Sequence, residues 1–115
     1  MSEQSNTILP KKTCTIEKLV TIPKDVEKVL NGEKTATRRN GVYADLGEIM
    51  VLGDKKFRVD AIYSQTLGEM TDEHARQEGY TSMEEYKQSI LAMHAKMPWL
   101  PTMKVWVHEY SPVEK

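Results

Sequence analysis

Gly32-Glu33-Lys34-Thr35-Ala36-Thr37-Arg38-Arg39 is the stretch at which the pattern of this chain changes. Just before it, Pro23 can open a helix, because the N–H that proline lacks would find no partner in a first turn anyway. Val26, Val29 and Leu30 follow at i, i+3 and i+4, so that helix has one apolar face. Gly32 stands just past the last apolar residue, where a left-handed cap favours glycine. The helix therefore hands the chain directly to an ammonium, two threonine hydroxyls and two guanidiniums at positions 34–39.

Outward from this junction the pattern is mostly β. Thr15, Ile16, Val20, Thr21 and Ile22 predict a first strand over residues 13–22. Residues 48–52 and 57–64 predict two strands turning at Gly53-Asp54. Phe57, Val59, Ala61 and Tyr63 alternate, but Ile62 breaks the alternation, as burial on both faces or a barrel wall would require. Beyond Gly68 the spacing turns helical. Thr71 or Asp72 can cap a short helix running through Gln77 and stopping near Gly79. Ser82 with Glu85 forms a capping-box signature for a longer helix. Its apolar side is Met83, Tyr86, Ile90, Met93 or His94, and Met97, and Pro98 ends it. Residues 105–110 predict a closing strand. The order β-α-β-β-β-α-α-β predicts an α+β domain, with a small curved sheet or β-barrel flanked by about three helices. Residues 1–12 are polar and predict a flexible N-terminal tail, leaving residues 13–112 as a single domain.

Composition narrows the function classes. The 115 residues suit one domain. A formal net charge of -1 provides no general field for holding a long polyanion. The one cysteine, Cys14, excludes an internal disulfide and a cysteine-based zinc site, and reads as a packing residue. No apolar run approaches the ~20 residues of a membrane span. The first ten residues lack an apolar signal core, so a cytoplasmic location is the default expectation.

Two constellations carry chemistry. In the first, a threonine hydroxyl such as that of Thr37 becomes a nucleophile only when a base takes its proton. A desolvated lysine such as Lys34 is one candidate. The plainer reading is a hydrophilic loop after a helix. Residues three apart in a regular strand point to opposite faces, so Lys34 and Thr37 meet only if the chain bends between them. The second constellation is Glu73-His74-Ala75-Arg76-Gln77-Glu78, in which Glu78 can orient a lysine or exchange protons with a leaving amine. The plainer reading there is a solvated helix face laced with ion pairs. His94 and His108 lack ligand spacing to this helix, so no metal site is expected. Among the aromatic residues, Tyr43 and Trp99 fall in predicted loops, and an aromatic beside Arg39 can stack on a nucleobase. The pair Arg38-Arg39 also reads as loop solvation.

Gly32, Lys34, Thr35, Thr37 and Arg39 match Gly-x-Lys-Thr-x-Thr-x-Arg, and with them the chain resembles the ASCH-domain family, a PUA-like fold. The resemblance takes in the Leu46-Gly47-Glu48 turn, the helix His74-Ala75-Arg76-Gln77-Glu78-Gly79 and the closing strand. The pairing of the two motifs is similar to the small bacterial amidohydrolases that deacylate N(4)-acetylcytidine. That resemblance implies a catalytic set of Lys34, Thr37 and Glu78, with Thr37 attacking the acyl carbonyl. It implies substrate contacts from Arg39, Tyr43 and Trp99, an acylated cytosine or cytidine as substrate, and no metal or organic cofactor. The chain departs from the pattern in its extra N-terminal segment and in Arg38, which replaces an apolar residue. It is also richer in Met, Pro and Trp over residues 93–102. An RNA-binding module or a ribonuclease of the same fold class is the alternative. Asp45, Glu48, Glu69, Asp72 and Glu73 around the candidate pocket count against a continuous RNA-binding surface.

Overall fold

The computed structural model of the protein describes residues 11–93 and 99–113. Three α-helices and four strands follow in the order α1 (Pro23–Leu30), β1 (Ala36–Arg39), β2 (Ile49–Leu52), β3 (Lys55–Thr66), α2 (Asp72–Gln77), α3 (Met83–Met93) and β4 (Lys104–Pro112). The strands form one antiparallel sheet in the order β1-β4-β3-β2, so β1 and β2 are its edges.

The predicted strand over residues 13–22 is absent. Residues Ile16–Lys18 form a 3-10 turn instead. Ile16, Leu19 and Val20 are all buried at a spacing of three and four, which is helical rather than alternating. The β-branched residues there reflect burial rather than sheet pairing. Positions His94, Met97 and Pro98, expected at the end of α3, lie outside the described residues.

The hairpin between β2 and β3 forms as expected, turning at Gly53 with φ +63°. The broken alternation in β3 has a local cause. The register shifts between Val59 and Ala61, which leaves Asp60 as a bulge. Phe57 and Val59 are buried on one phase, and Ile62 is buried on the phase shifted by one. A single extra residue therefore keeps the apolar side of a long strand on the core while curving it.

Paired residues in antiparallel strands share a face, so the register sorts the sheet into two sides. Thr37, His108 and Ile62 lie in one row across β1, β4 and β3. That side faces a core built from Leu19, Val29, Val42, Met50, Phe57 and Tyr110, with α1 packed on it. The next row, Arg38, Val107 and Tyr63, points the other way. There Leu67, Met70, Ala75, Tyr86 and Val105 form a second core under α2 and α3.

Two joints tie the helices to β1. The N–H of Thr35 donates to the Gln77 carbonyl at 2.7 Å, docking the end of α2 on the outer edge of β1. Gly32, at φ +82°, ends α1 as expected. Gly79, at φ +91°, ends α2, and a Cβ there would lie 2.8 Å from Lys28 Cδ. Gly79→Ala is therefore expected to cost about 1–2 kcal/mol, the usual range for forcing a side chain into that backbone region. A lowered urea midpoint with an unchanged m-value checks this.

Candidate active site

Glu78 is the C-cap residue of α2, and the turn at Gly79 holds its carboxylate against β1. Lys34 precedes β1 and reaches back, its Nζ donating to Glu78 Oε1 at 2.6 Å and to the Glu78 carbonyl at 3.3 Å. Arg38 arrives from within β1 and donates from Nη1 to Glu78 Oε2 at 2.9 Å. Its Nε donates to Gln65 Oε1 at 2.9 Å. Lys34 and Glu78 are each only 4% exposed, so this is an interior ion cluster and not a surface one. The plainer reading of the α2 sequence, a solvated face laced with ion pairs, fails at Glu78.

His74, i−4 from Glu78, belongs to the cap at the start of the helix. Its Nδ1 accepts from the Thr71 N–H at 3.0 Å. Among the described residues no group of three or more His, Cys, Asp or Glu side chains is arranged to hold a metal ion.

The structure brings together two of the three catalytic candidates, and Thr37 stands apart. Thr37 alternates with Arg38 along β1, so it faces the first core, where its hydroxyl pairs with Tyr110 Oη at 2.8 Å. The contact between Lys34 and Thr37 that the sequence reading required is not formed. Lys34 instead shares the face of Arg38, four residues on, and both turn towards Glu78 at the end of α2. Tyr110 does not activate the threonine. Burial pushes its phenol well above the ordinary value, so it stays protonated.

The expected substrate contacts are also distributed. Arg39 donates from Nη2 and Nε to the Leu19 carbonyl at 2.6 and 3.1 Å, with its guanidinium 5.9 Å from the Tyr43 ring centre. Arg39 and Tyr43 therefore meet each other on the first-core side. Trp99 lies on the opposite side, edge-on to Tyr86 at 6.4 Å and beneath Lys87. It is half-buried in the second core rather than free as a stacking platform.

Three sets of buried polar contacts have no counterpart in the sequence reading. Arg38 was read as loop solvation, yet its side chain is 1% exposed. Tyr110 read as a strand residue without a role. His108, fully buried, has both ring nitrogens engaged. Nε2 accepts from the Tyr43 N–H at 3.0 Å, which leaves the proton on Nδ1, 3.1 Å from the Trp106 carbonyl and 3.3 Å from that of Thr37. No local signal was available for Arg38, because Val107, the residue opposite it, becomes its neighbour only through the pairing of β1 with β4.

No protein-family model matches the sequence, and no curated protein matches it. Two solved structures share the fold. An ASCH domain from Lactobacillus crispatus JV V101 superposes with a TM-score of 0.64 at 11% identity, covering 77% of this chain and 70% of that one. A protein from Enterococcus faecalis V583, of the family DUF984, superposes with a TM-score of 0.55 at 18% identity, covering 76% of this chain and 66% of that one. At these identities the likeness is one of fold. The four-stranded antiparallel half-barrel with three helices is an ASCH-type, PUA-like α+β fold, as the sequence led one to expect. No helix among the described residues is long and apolar enough to cross a membrane.

The buried histidine makes stability depend on pH. Burial, the largest effect, holds the His108 imidazole below its ordinary value near 6.5, with Arg39 acting in the same direction against the two carbonyls and Glu78. The unfolded chain therefore binds the proton more readily. The contribution of His108 is fully present above about pH 6.5 and is lost as pH falls towards the depressed folded value. Urea unfolding at about pH 7.5 and about pH 5 should show a lower midpoint in acid. That drop should shrink in His108→Gln.

Proposed function

We propose that this protein is an amidohydrolase that removes acyl groups from the exocyclic amine of cytidine-type compounds, taking N(4)-acetylcytidine to cytidine and acetate. The observation that carries the reading is the Lys34–Glu78 pair, 2.6 Å apart and almost closed to solvent. The ASCH-type fold supports it. An ammonium has three N–H donors, and two of Lys34's are spent on Glu78, leaving one among the described residues for a substrate oxygen.

In this mechanism Lys34 donates its remaining N–H to the acyl carbonyl, and Thr37 Oγ is the nucleophile. Thr37 must first rotate away from Tyr110. The mechanism requires that rotation to bring the hydroxyl to the outer rim of β1, an edge strand on which the end of α2 docks. Glu78 accepts the hydroxyl proton as the C–O bond forms and the carbonyl π pair moves to oxygen. Lys34 stabilises that oxyanion. Collapse breaks the C–N bond, and Glu78 returns the proton to the departing amine. Water then attacks the threonyl ester by the same route, releasing the carboxylate and restoring Thr37.

ASCH- and PUA-type folds are compatible with RNA as well as with small molecules. The cluster favours the small molecule, because polynucleotide phosphates are met by exposed cations, whereas Lys34 and Arg38 lie inside. Steep salt dependence of RNA binding by the purified protein would favour the RNA reading instead.

An absorbance assay with N(4)-acetylcytidine tests the proposal. Wild type should hydrolyse it, and Lys34→Ala and Glu78→Gln should each lower kcat by about 100-fold or more, the scale of losing a positioned proton carrier or oxyanion donor. Wild-type rates in both variants would sink the proposal. Thr37→Ala should be as damaged as the other two. If it keeps more than about a tenth of the rate, the attacking oxygen belongs to water and Thr37 is structural.

A further inference from the structure

We infer that Arg38 reads an anionic group on the substrate, its free Nη2 taking an anionic oxygen from a carboxylate on the acyl group or a phosphate on the nucleoside. The inference rests on the proposed substrate site above and deepens it.

The guanidinium is only partly satisfied. Nε is spent on Gln65 and Nη1 on Glu78, while Nη2 is buried and has no hydrogen-bond partner among the described residues. A buried charged donor without an acceptor is among the more costly defects a folded interior can carry. The charge balance makes the same point. Lys34 and Arg38 face one carboxylate, so the cluster formally carries one positive charge in excess in a buried setting. The next carboxylate on this face, Glu109, sits nearer the solvent and is engaged by the Tyr63 hydroxyl at 2.5 Å. That bond, together with the burial that comes first in effect, pushes the Tyr63 phenol up to about 12, so Glu109 keeps its proton donor at working pH.

An anionic oxygen on the substrate would cure both defects at once, pairing Nη2 and neutralising the excess charge. A guanidinium already held by Gln65 and Glu78 is rigid, so it would bind that oxygen with little further loss of freedom. An apolar residue in place of Arg38 would offer none of this.

The test compares kcat/KM for N(4)-acetylcytidine, its 5′-phosphate and N(4)-succinylcytidine in wild type, Arg38→Lys and Arg38→Met. Thermal unfolding with added succinate or inorganic phosphate runs alongside. Wild type should prefer one anionic substrate over N(4)-acetylcytidine by about 10-fold or more, as a charge-assisted hydrogen bond allows. Which one it prefers tells carboxylate from phosphate. The preference should vanish in Arg38→Met and weaken in Arg38→Lys, and the lysine variant carries the comparison if the methionine variant does not fold.

Equal kcat/KM on all three substrates in wild type overturns the inference and leaves the amidohydrolase reading standing. So does a fall in all three rates by the same factor in Arg38→Met, which marks Arg38 as a mere brace for Glu78. If none of the three is cleaved, the amidohydrolase reading fails separately and the unfolding measurement decides. A rise in Tm with succinate or phosphate that is lost in the Arg38 variants upholds the anion site, and no rise overturns it.

Discussion

Glu78 accepts from Lys34 at 2.6 Å and from Arg38 at 2.9 Å across sequence separations of 44 and 40 residues, with all three residues buried. That carboxylate joins the end of α1, the edge strand β1 and the end of α2. Removing one member of a buried charge pair typically costs about 3–5 kcal/mol, because the partner is left desolvated and alone. Here the loss of the carboxylate would strand two cations. The backbone bond from Thr35 to Gln77 runs beside it and fixes the distance over which these side chains act.

β1 acts as a partition. On the side of Arg38 lie the ion cluster, Gln65 and the helical layer of α2 and α3. On the side of Thr37 lie Tyr110, His108 and the first apolar core. Strand alternation enforces this division. Its weak point is the outer rim, since an edge strand has no sheet neighbour to keep a rotated side chain in place. A chemistry shared between Lys34 and Thr37 must therefore take place at that rim.

The legibility of the sequence varied with the range of the physics involved. The apolar spacing of Val26, Val29 and Leu30, the cap at Gly32 and the hairpin at Gly53 are local matters, and the structure agrees with each. Residues 13–22 misled because β-branched side chains serve equally well in any buried turn. The break at Ile62 was visible, but its cause, the extra residue at Asp60, depends on how β3 pairs with β4. Half of the predicted box at α3 forms. The Glu85 N–H meets Ser82 Oγ at 3.2 Å, while the Glu85 carboxylate turns to Thr81 instead.

By itself the sequence determined the elements that short-range rules govern, namely α1 and its cap, the β2–β3 hairpin and the helical run after Gly68. It also marked Lys34, Thr37 and Glu78 as candidates by their residue types, since the needed chemistry restricts which side chains can serve. Only the tertiary structure decided which of them meet. Lys34 and Glu78 touch because α2 docks on the rim of β1, and Thr37 does not join them because alternation aims it at Tyr110. The same docking made Arg38 an interior residue with an unpartnered nitrogen. Burial is a property of everything that surrounds a side chain, so no local pattern could have announced it.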